Sequence, residues 1–222
     1  MNIAKTGARP KRRTNAERSA ETKDKIIKAA VRCLYNVGYD GTSISGVAAE
    51  AGVSKGATQH HFPSKVDLML AVADYSLKMH VQIRQDIFVQ YQPGPERIAH
   101  TADASWEIIN HPTYTALIEI MMATRNSPEL KKRCRPLIDL IAAERRRGEE
   151  AFCRDFEVEP NTLLSTLIRT HVTAMRGIAV GLMFNPDRDG FREELEMMQR
   201  YERMMRDFII KEYGKERRTK NK

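Results

Sequence analysis

No run of apolar residues in this chain approaches the roughly 20 needed to cross a bilayer, so no membrane-spanning helix is expected. Cysteine is scarce. Cys33, Cys134 and Cys153 stand far apart, with no CxxC and no zinc-ligand spacing. That argues against a redox pair or a metal site, and for three small, partly buried hydrophobes. No window alternates with period two, so strands are not expected. HExxH, GxSxG, a P-loop and a GxGxxG set after a strand are all missing, and no enzyme is read here. Residues 1–18 are basic but have no apolar stretch of the kind a signal peptide needs. At 222 residues, 41% hydrophobic and 30% charged, the chain has material for real cores and the surface of a soluble, cytoplasmic protein. The expectation is an all-α fold with no cofactor and no metal.

Charge is placed unevenly. Residues 1–65 carry 12 Lys+Arg against 5 Asp+Glu, residues 66–210 carry 19 against 22, and residues 211–222 carry 6 against 2. A polyanion partner at the N-terminal end is the economical explanation. The C-terminal excess reads equally well as a solvated tail.

The stretch from Thr42 to Leu68, TSISGVAAEAGVSKGATQHHFPSKVDL, carries the most information. Ser43 is a good N-cap, and Val47, Ala48 and Ala51 make a small apolar face at helical spacing. Gly52 sits where a helix needs a left-handed residue just past its end. Ser54 caps a second short helix opening with Lys55, Gly56, Ala57, Thr58, Gln59 and His60. Phe62 anchors it, Pro63 stops it, and Ser64 with Asp67 starts a longer helix. Two short helices about a glycine turn make a helix-turn-helix, which sets its second helix in the major groove of DNA. Lys55 suits guanine O6/N7 or a phosphate, and Gln59 suits adenine N6/N7. Thr58 and His60 could add contacts, while Gly56 and Ala57 allow close approach. Thr42 and Ser43 suit a phosphate at a helix start, and Lys65 is a second phosphate clamp. His61 is read as a packed histidine beside an exposed His60.

The run Thr42-Ser43, Val47-Ala48, Ala51-Gly52-Val53-Ser54-Lys55-Gly56, His61-Phe62, Ser64-Lys65 and Leu68 resembles the TetR family of bacterial transcriptional regulators. The resemblance holds at motif level over about residues 20 to 70, and beyond that in layout. It implies the same DNA-contact positions, with Ser45 added. Many relatives carry Tyr where this chain has Gln59, and an aromatic is usual near His60. The exchange loses a phenolic phosphate contact and gains an amide able to read a base, so a different operator preference is expected.

Four segments follow: a basic mobile arm over 1–18, a helix-turn-helix domain over 19–66, a helical ligand-binding and dimerisation domain over 67–213, and a basic tail over 214–222. The arm reads either as a disordered terminus or as a strand of cations that orders on DNA. Helix 1 is expected from about Ser19 to Val37, with NVGYDG (36–41) as loop. Helix 4 is expected from Lys65 to about Val89. After the break at QPGP come Glu96 to Asn110, then helices starting at Pro112 (to about Arg125), Ser127-Pro128 (to about Phe156, interrupted or kinked at Pro136), Pro160 (to about Phe184) and Phe191 (to about Tyr213). NPDRDG separates the last two.

Leu163, Leu164, Leu167, Ile168, Val172, Met175, Ile178, Ala179 and Leu182 cover more than one face of 161–184, so that helix is buried on two sides. Ala174, Gly177 and Gly181 add a small-residue strip, and Leu195, Met198, Tyr201, Met205 and Phe208 form a stripe on the final helix. The resemblance implies that these two helices make a four-helix bundle across a two-fold axis, giving a homodimer suited to a palindromic operator. Trp106, Ile109, Tyr114, Leu117, Ile118, Met121, Met122, His171 and Met175 form the candidate effector pocket, although a Met or aromatic stripe at helical spacing is core far more often than pocket. Arg169 and Arg176 either anchor an acidic ligand or pair with Glu107 or Glu119. The expected function is a ligand-responsive repressor on double-stranded DNA, with a largely hydrophobic small-molecule effector. The alternative is an effector-independent DNA-binding protein controlled by a partner protein.

Overall fold

The computed structural model describes residues 14–159, 162–184 and 192–220, and every regular element among them is helical. Helix α1 spans Asn15–Gly41. It starts inside the segment expected to be a mobile arm because Thr14 and Glu17 form a capping box. Glu17 N–H donates to the Thr14 hydroxyl at 3.2 Å, and Thr14 N–H donates to the Glu17 carboxylate at 2.7 Å. The rest of that arm, residues 1–13, lies outside the described residues. Helical geometry breaks at Gly38, whose φ of +68° needs glycine, so the NVGYDG segment is a kink and terminal turn of α1 rather than an open loop.

Helices α2 (Ile44–Ala51), α3 (Lys55–His61) and α4 (Lys65–Phe88) follow the caps read from sequence. Ser43 accepts from Gly46 N–H, Gly52 is left-handed at φ +66°, Ser54 accepts from Ala57 N–H, and Ser64 with Asp67 closes a capping box. A 3₁₀ helix over Pro95–His100 leads into α5 (Thr101–Asn110), α6 (Pro112–Ala123), α7 (Pro128–Arg133), α8 (Arg135–Phe156), α9 (Thr162–Phe184) and α10 (Arg192–Lys220). Of the interruption or kink expected at Pro136, the chain takes the interruption, dividing the segment at Cys134. A proline disfavours helical geometry in the residue before it and supplies no N–H, so Pro136 is accommodated in the first turn of a new helix. Helix α10 continues to Lys220, past the end expected near Tyr213, so residues 214–220 of the basic tail are helical. Pro160 and the NPDRDG segment lie outside the described residues. None of the described helices is long and apolar enough to cross a membrane.

Three apolar clusters hold these helices. In the first, Ile26, Leu34 and Val47 pack with Leu68, Met69 and Val72 of α4, and also with Leu117 and Ile120 of α6 and Leu130 of α7. The expected boundary near residue 66 is therefore no gap in packing: one core runs from the helix-turn-helix into the following helices. The second cluster joins α8, α9 and α10 through Cys153, Phe156, Leu164 and Ile209. A half-buried, two-pronged ion pair between Arg97 and Asp155, with contacts of 2.6–2.8 Å, ties the 3₁₀ helix to α8. The third cluster, Ile109, Met175 and Ala179 with Trp106, Tyr114, Leu182 and Met198, joins α5, α6, α9 and α10.

Candidate nucleic-acid interface

Helix α3 is too short to stand alone, and its orientation comes from its ends. Ser54 caps the start, and Phe62, at 3% exposure, pins the end into the first core. That leaves Lys55, Gly56, Gln59 and His60 facing solvent, with Ser43 and Ser45 exposed at the start of α2 and Ala57 half-buried. These are the side chains a groove could reach. His61 is half-buried beside Phe62, and burial lowers its pKa ahead of the effect of His60.

Three expected contacts change role. Thr42 is 2% exposed, and its hydroxyl donates to the Gly38 carbonyl at 2.7 Å, so it closes the end of α1 instead of meeting a phosphate. Thr58 is fully buried; its hydroxyl reaches back to the Ser54 carbonyl at 3.3 Å, and it supports α3 from below. Lys65 is half-buried. Its ammonium donates to the Tyr39 carbonyl at 2.6 Å and lies 4.1 Å from the centre of the Tyr39 ring. Removal from water lowers its pKa, partly offset by Asp40. Lys65 is a clamp on the protein's own backbone rather than a free phosphate ligand.

The expected effector residues divide. Trp106, Ile109, Tyr114 and Met175 do gather in the third cluster. Leu117 and Met121 belong to the first core instead, because they face α1 and α4. Ile118 is half-buried, and Met122 is 56% exposed. Met122 borders an open cleft of about 480 Å³ between the end of α1 and α6, lined also by Tyr39, Asp40, Glu119, Ala123, Arg125, Asn126 and Ser127. Arg169 and Arg176 are both exposed. Arg169 donates to Thr166 at 2.8 Å, and Arg176 hydrogen-bonds the Tyr114 phenol.

His171 sits in a buried polar chain. Its Nε2 lies 3.1 Å from the Ser105 hydroxyl, and its Nδ1 lies 3.1 Å from Glu202 Oε1 without good hydrogen-bond alignment. Glu202 Oε2 accepts from the Ala102 N–H at 2.9 Å. Burial pushes Glu202 up to about 8 and His171 down to about 4. A protonated Glu202 against a neutral imidazole is the arrangement that burial favours.

Residues 26–72 match the model of the bacterial regulatory proteins of the tetR family. The HTH-type transcriptional regulator CymR of Pseudomonas putida is 33% identical over 123 residues, covering 55% of this chain and 61% of that protein. TtgR of the same species is 39% identical over 62 residues, covering 28% of this chain and 30% of TtgR. Residues 26–72 carry the TetR-family signature. A TetR transcription regulator from Haloarcula marismortui superposes with a TM-score of 0.64 at 22% identity, covering 85% of this chain and 97% of that one. The shared fold thus extends past the segment of TetR sequence signature.

Against that TetR fold, α9 and α10 leave an apolar surface uncovered. Leu163, Val172, Met183 and Phe184 on α9, and Met197, Met204, Phe208 and Ile210 on α10, are exposed, with Phe184 at 85% and Met204 at 70%. Phe208, at one end of the stripe read on this helix, is exposed. Glu202 and Ile209 are buried instead, alongside half-buried Leu195, Met198 and Met205. The signal was present in the sequence, since 195, 198, 202, 205 and 209 share one helical face, but a carboxylate on that face reads as solvent-facing.

Proposed function

We propose that this chain is a DNA-binding transcriptional regulator, a repressor that binds a palindromic operator as a homodimer and is released by a largely hydrophobic small molecule. The observation that carries the DNA-binding part is the exposed start of α3, where Lys55, Gln59 and His60 project from a helix fixed by Ser54, Thr58 and Phe62. CymR and TtgR are themselves transcriptional regulators. The exposed apolar residues of α9 and α10 support pairing with a second copy, which would space two α3 helices on successive major grooves. For the effector, the support is the aromatic and apolar third cluster beside the buried His171–Glu202 pair. A solved relative in fold, at 23% identity and a TM-score of 0.54, is described as a gamma-butyrolactone receptor.

A second reading keeps the DNA binding and dispenses with the effector, leaving control to a partner protein. Its support is the close packing of Leu117, Ile120 and Met175, and the position of the cleft at α1 and α6, where Met122 is the one expected lining residue it meets.

Selection from genomic fragments with purified protein, followed by titration at two salt concentrations, tests the first reading. One palindromic site bound by two protomers is expected. Recovery of random fragments, with binding that vanishes at moderate salt, would leave only a basic surface. Gln59→Ala is expected to relax preference at one base pair, costing about 1–3 kcal/mol of discrimination if the amide reads adenine. Profiles of the selected sites for both proteins measure it.

A further inference from the structure

One residue in this molecule is held through both of its backbone polar groups. The N–H of Tyr39 donates to Glu119 Oε2 of α6 at 2.9 Å. Its carbonyl accepts from Lys65 Nζ, at the start of α4, at 2.6 Å, and also from Thr42 N–H at 3.2 Å. Tyr39 directly follows the break at Gly38. There the left-handed backbone ends the ordinary helical hydrogen bonding of α1 and turns the Tyr39 N–H out toward α6. A Cβ on Gly38 would stand 3.0 Å from Glu119 Oε2, so the glycine also makes room for the carboxylate. Just beyond, Ser43 caps α2, and the recognition helix hangs from α2 through the Gly52 turn.

We propose that Glu119 is a positioning residue for DNA recognition. It fixes the Tyr39 elbow from α6 and so sets the angle at which α2 and α3 leave α1, by a connection that does not run along α4. The inference rests on the DNA-binding reading above. Glu119 touches no candidate DNA contact, and all its influence passes through the Tyr39 amide. Lys65 secures the carbonyl of the same residue, so motions of α6 and of α4 meet at the backbone of a single residue. The open cleft beside Glu119 admits water, so the bond competes with solvent and can be broken without unfolding the core.

The sign of the effect separates this role from simple electrostatics. Glu119→Ala and Glu119→Gln each remove one negative charge from the neighbourhood of a polyanion site, which by itself would tighten DNA binding in both. Gln keeps an acceptor oxygen for Tyr39 N–H and Ala does not. With the full-length protein free of DNA, Glu119→Ala should speed exchange of the Tyr39 amide roughly tenfold or more, as expected for losing a hydrogen bond to a charged group. Glu119→Gln should restore most of the protection. On the selected operator, Glu119→Ala should bind about tenfold more weakly with an unchanged salt slope, because no phosphate contact is lost, and Glu119→Gln should bind close to wild type. Unchanged Tyr39 exchange in Glu119→Ala overturns the proposal whatever the DNA result. Raised exchange with operator affinity equal to or tighter than wild type overturns the positioning role. If the wild-type protein selects no operator, the DNA-binding reading fails and takes the positioning role with it. The exchange data then still report on the bond itself.

Discussion

Replacing Glu202 with glutamine is expected to flatten the fall in stability between about pH 6.5 and 8. The carboxyl is pushed up to about 8 chiefly by burial, with Ala102 N–H opposing that shift and Asp103 adding to it. Between an ordinary value near 4.5 and that of about 8, the folded chain keeps a proton that the unfolded chain has released. Stability contributed by the neutral acid is therefore whole below 4.5 and is lost as pH rises through about 8. His80 and His171, lowered by burial to about 4, act oppositely: they contribute above 6.5 and lose that stability as pH falls through about 4. The effect of Glu202 stands alone only above 6.5, where about 2 kcal/mol should be lost by pH 8 at roughly 1.4 kcal/mol per pH unit. Glutamine can accept from Ala102 N–H and donate toward His171 Nδ1, so the variant should gain on wild type across that window. Urea unfolding at fixed protomer concentration on a pH series measures the difference. A variant that keeps the wild-type slope would place the titrating proton elsewhere.

Ile120→Ala is expected to cost about 2–5 kcal/mol, the range for emptying a fully buried branched side chain. Ile120 is 0% exposed and packs in the cluster shared by α1, α4 and α6. The distribution of the loss tells more than its size. Because α6 shares that core with the helix-turn-helix, amide protection in α1 around Leu34 should fall together with protection in α6 itself. Hydrogen exchange read peptide by peptide checks this. A head that stayed protected while α6 opened would show two separable cores.

Local rules made the head legible. Ser43, Gly52, Ser54, Ser64 and Asp67 each act on neighbours within a few residues, so their effects can be read from a short window, and the helices begin and end where those residues say. The same rule was available at Thr14 and Glu17 but was hidden by the basic composition around it. Thr42, Thr58 and Lys65 were harder. A hydroxyl at the start of α2 or on α3 looks identical in sequence whether it faces DNA or its own backbone, and the choice depends on how α1 and α4 are placed. The pocket residues divided for a related reason. Leu117 and Tyr114 lie one helical turn apart on α6, yet one meets α1 and α4 while the other meets α5 and α9. Glu202 and Glu119 were the least visible, since their partners are distant in the chain: Ala102 and His171 for the first, Tyr39 for the second.

The continuous first core has a consequence for anyone wishing to recombine such proteins. A chimera joined just after Ser64, with this reading head set on the body of another regulator, would carry Ile26, Leu34 and Val47 against foreign side chains in place of Leu68, Leu117 and Ile120. It would also have to supply a carboxylate opposite Tyr39. Grafts that bring along α4 and α6 retain both matching surfaces. The transferable part for engineering is a set of five helices, α1 to α4 with α6, and their shared interior, although two of the helices lie past the conventional domain seam.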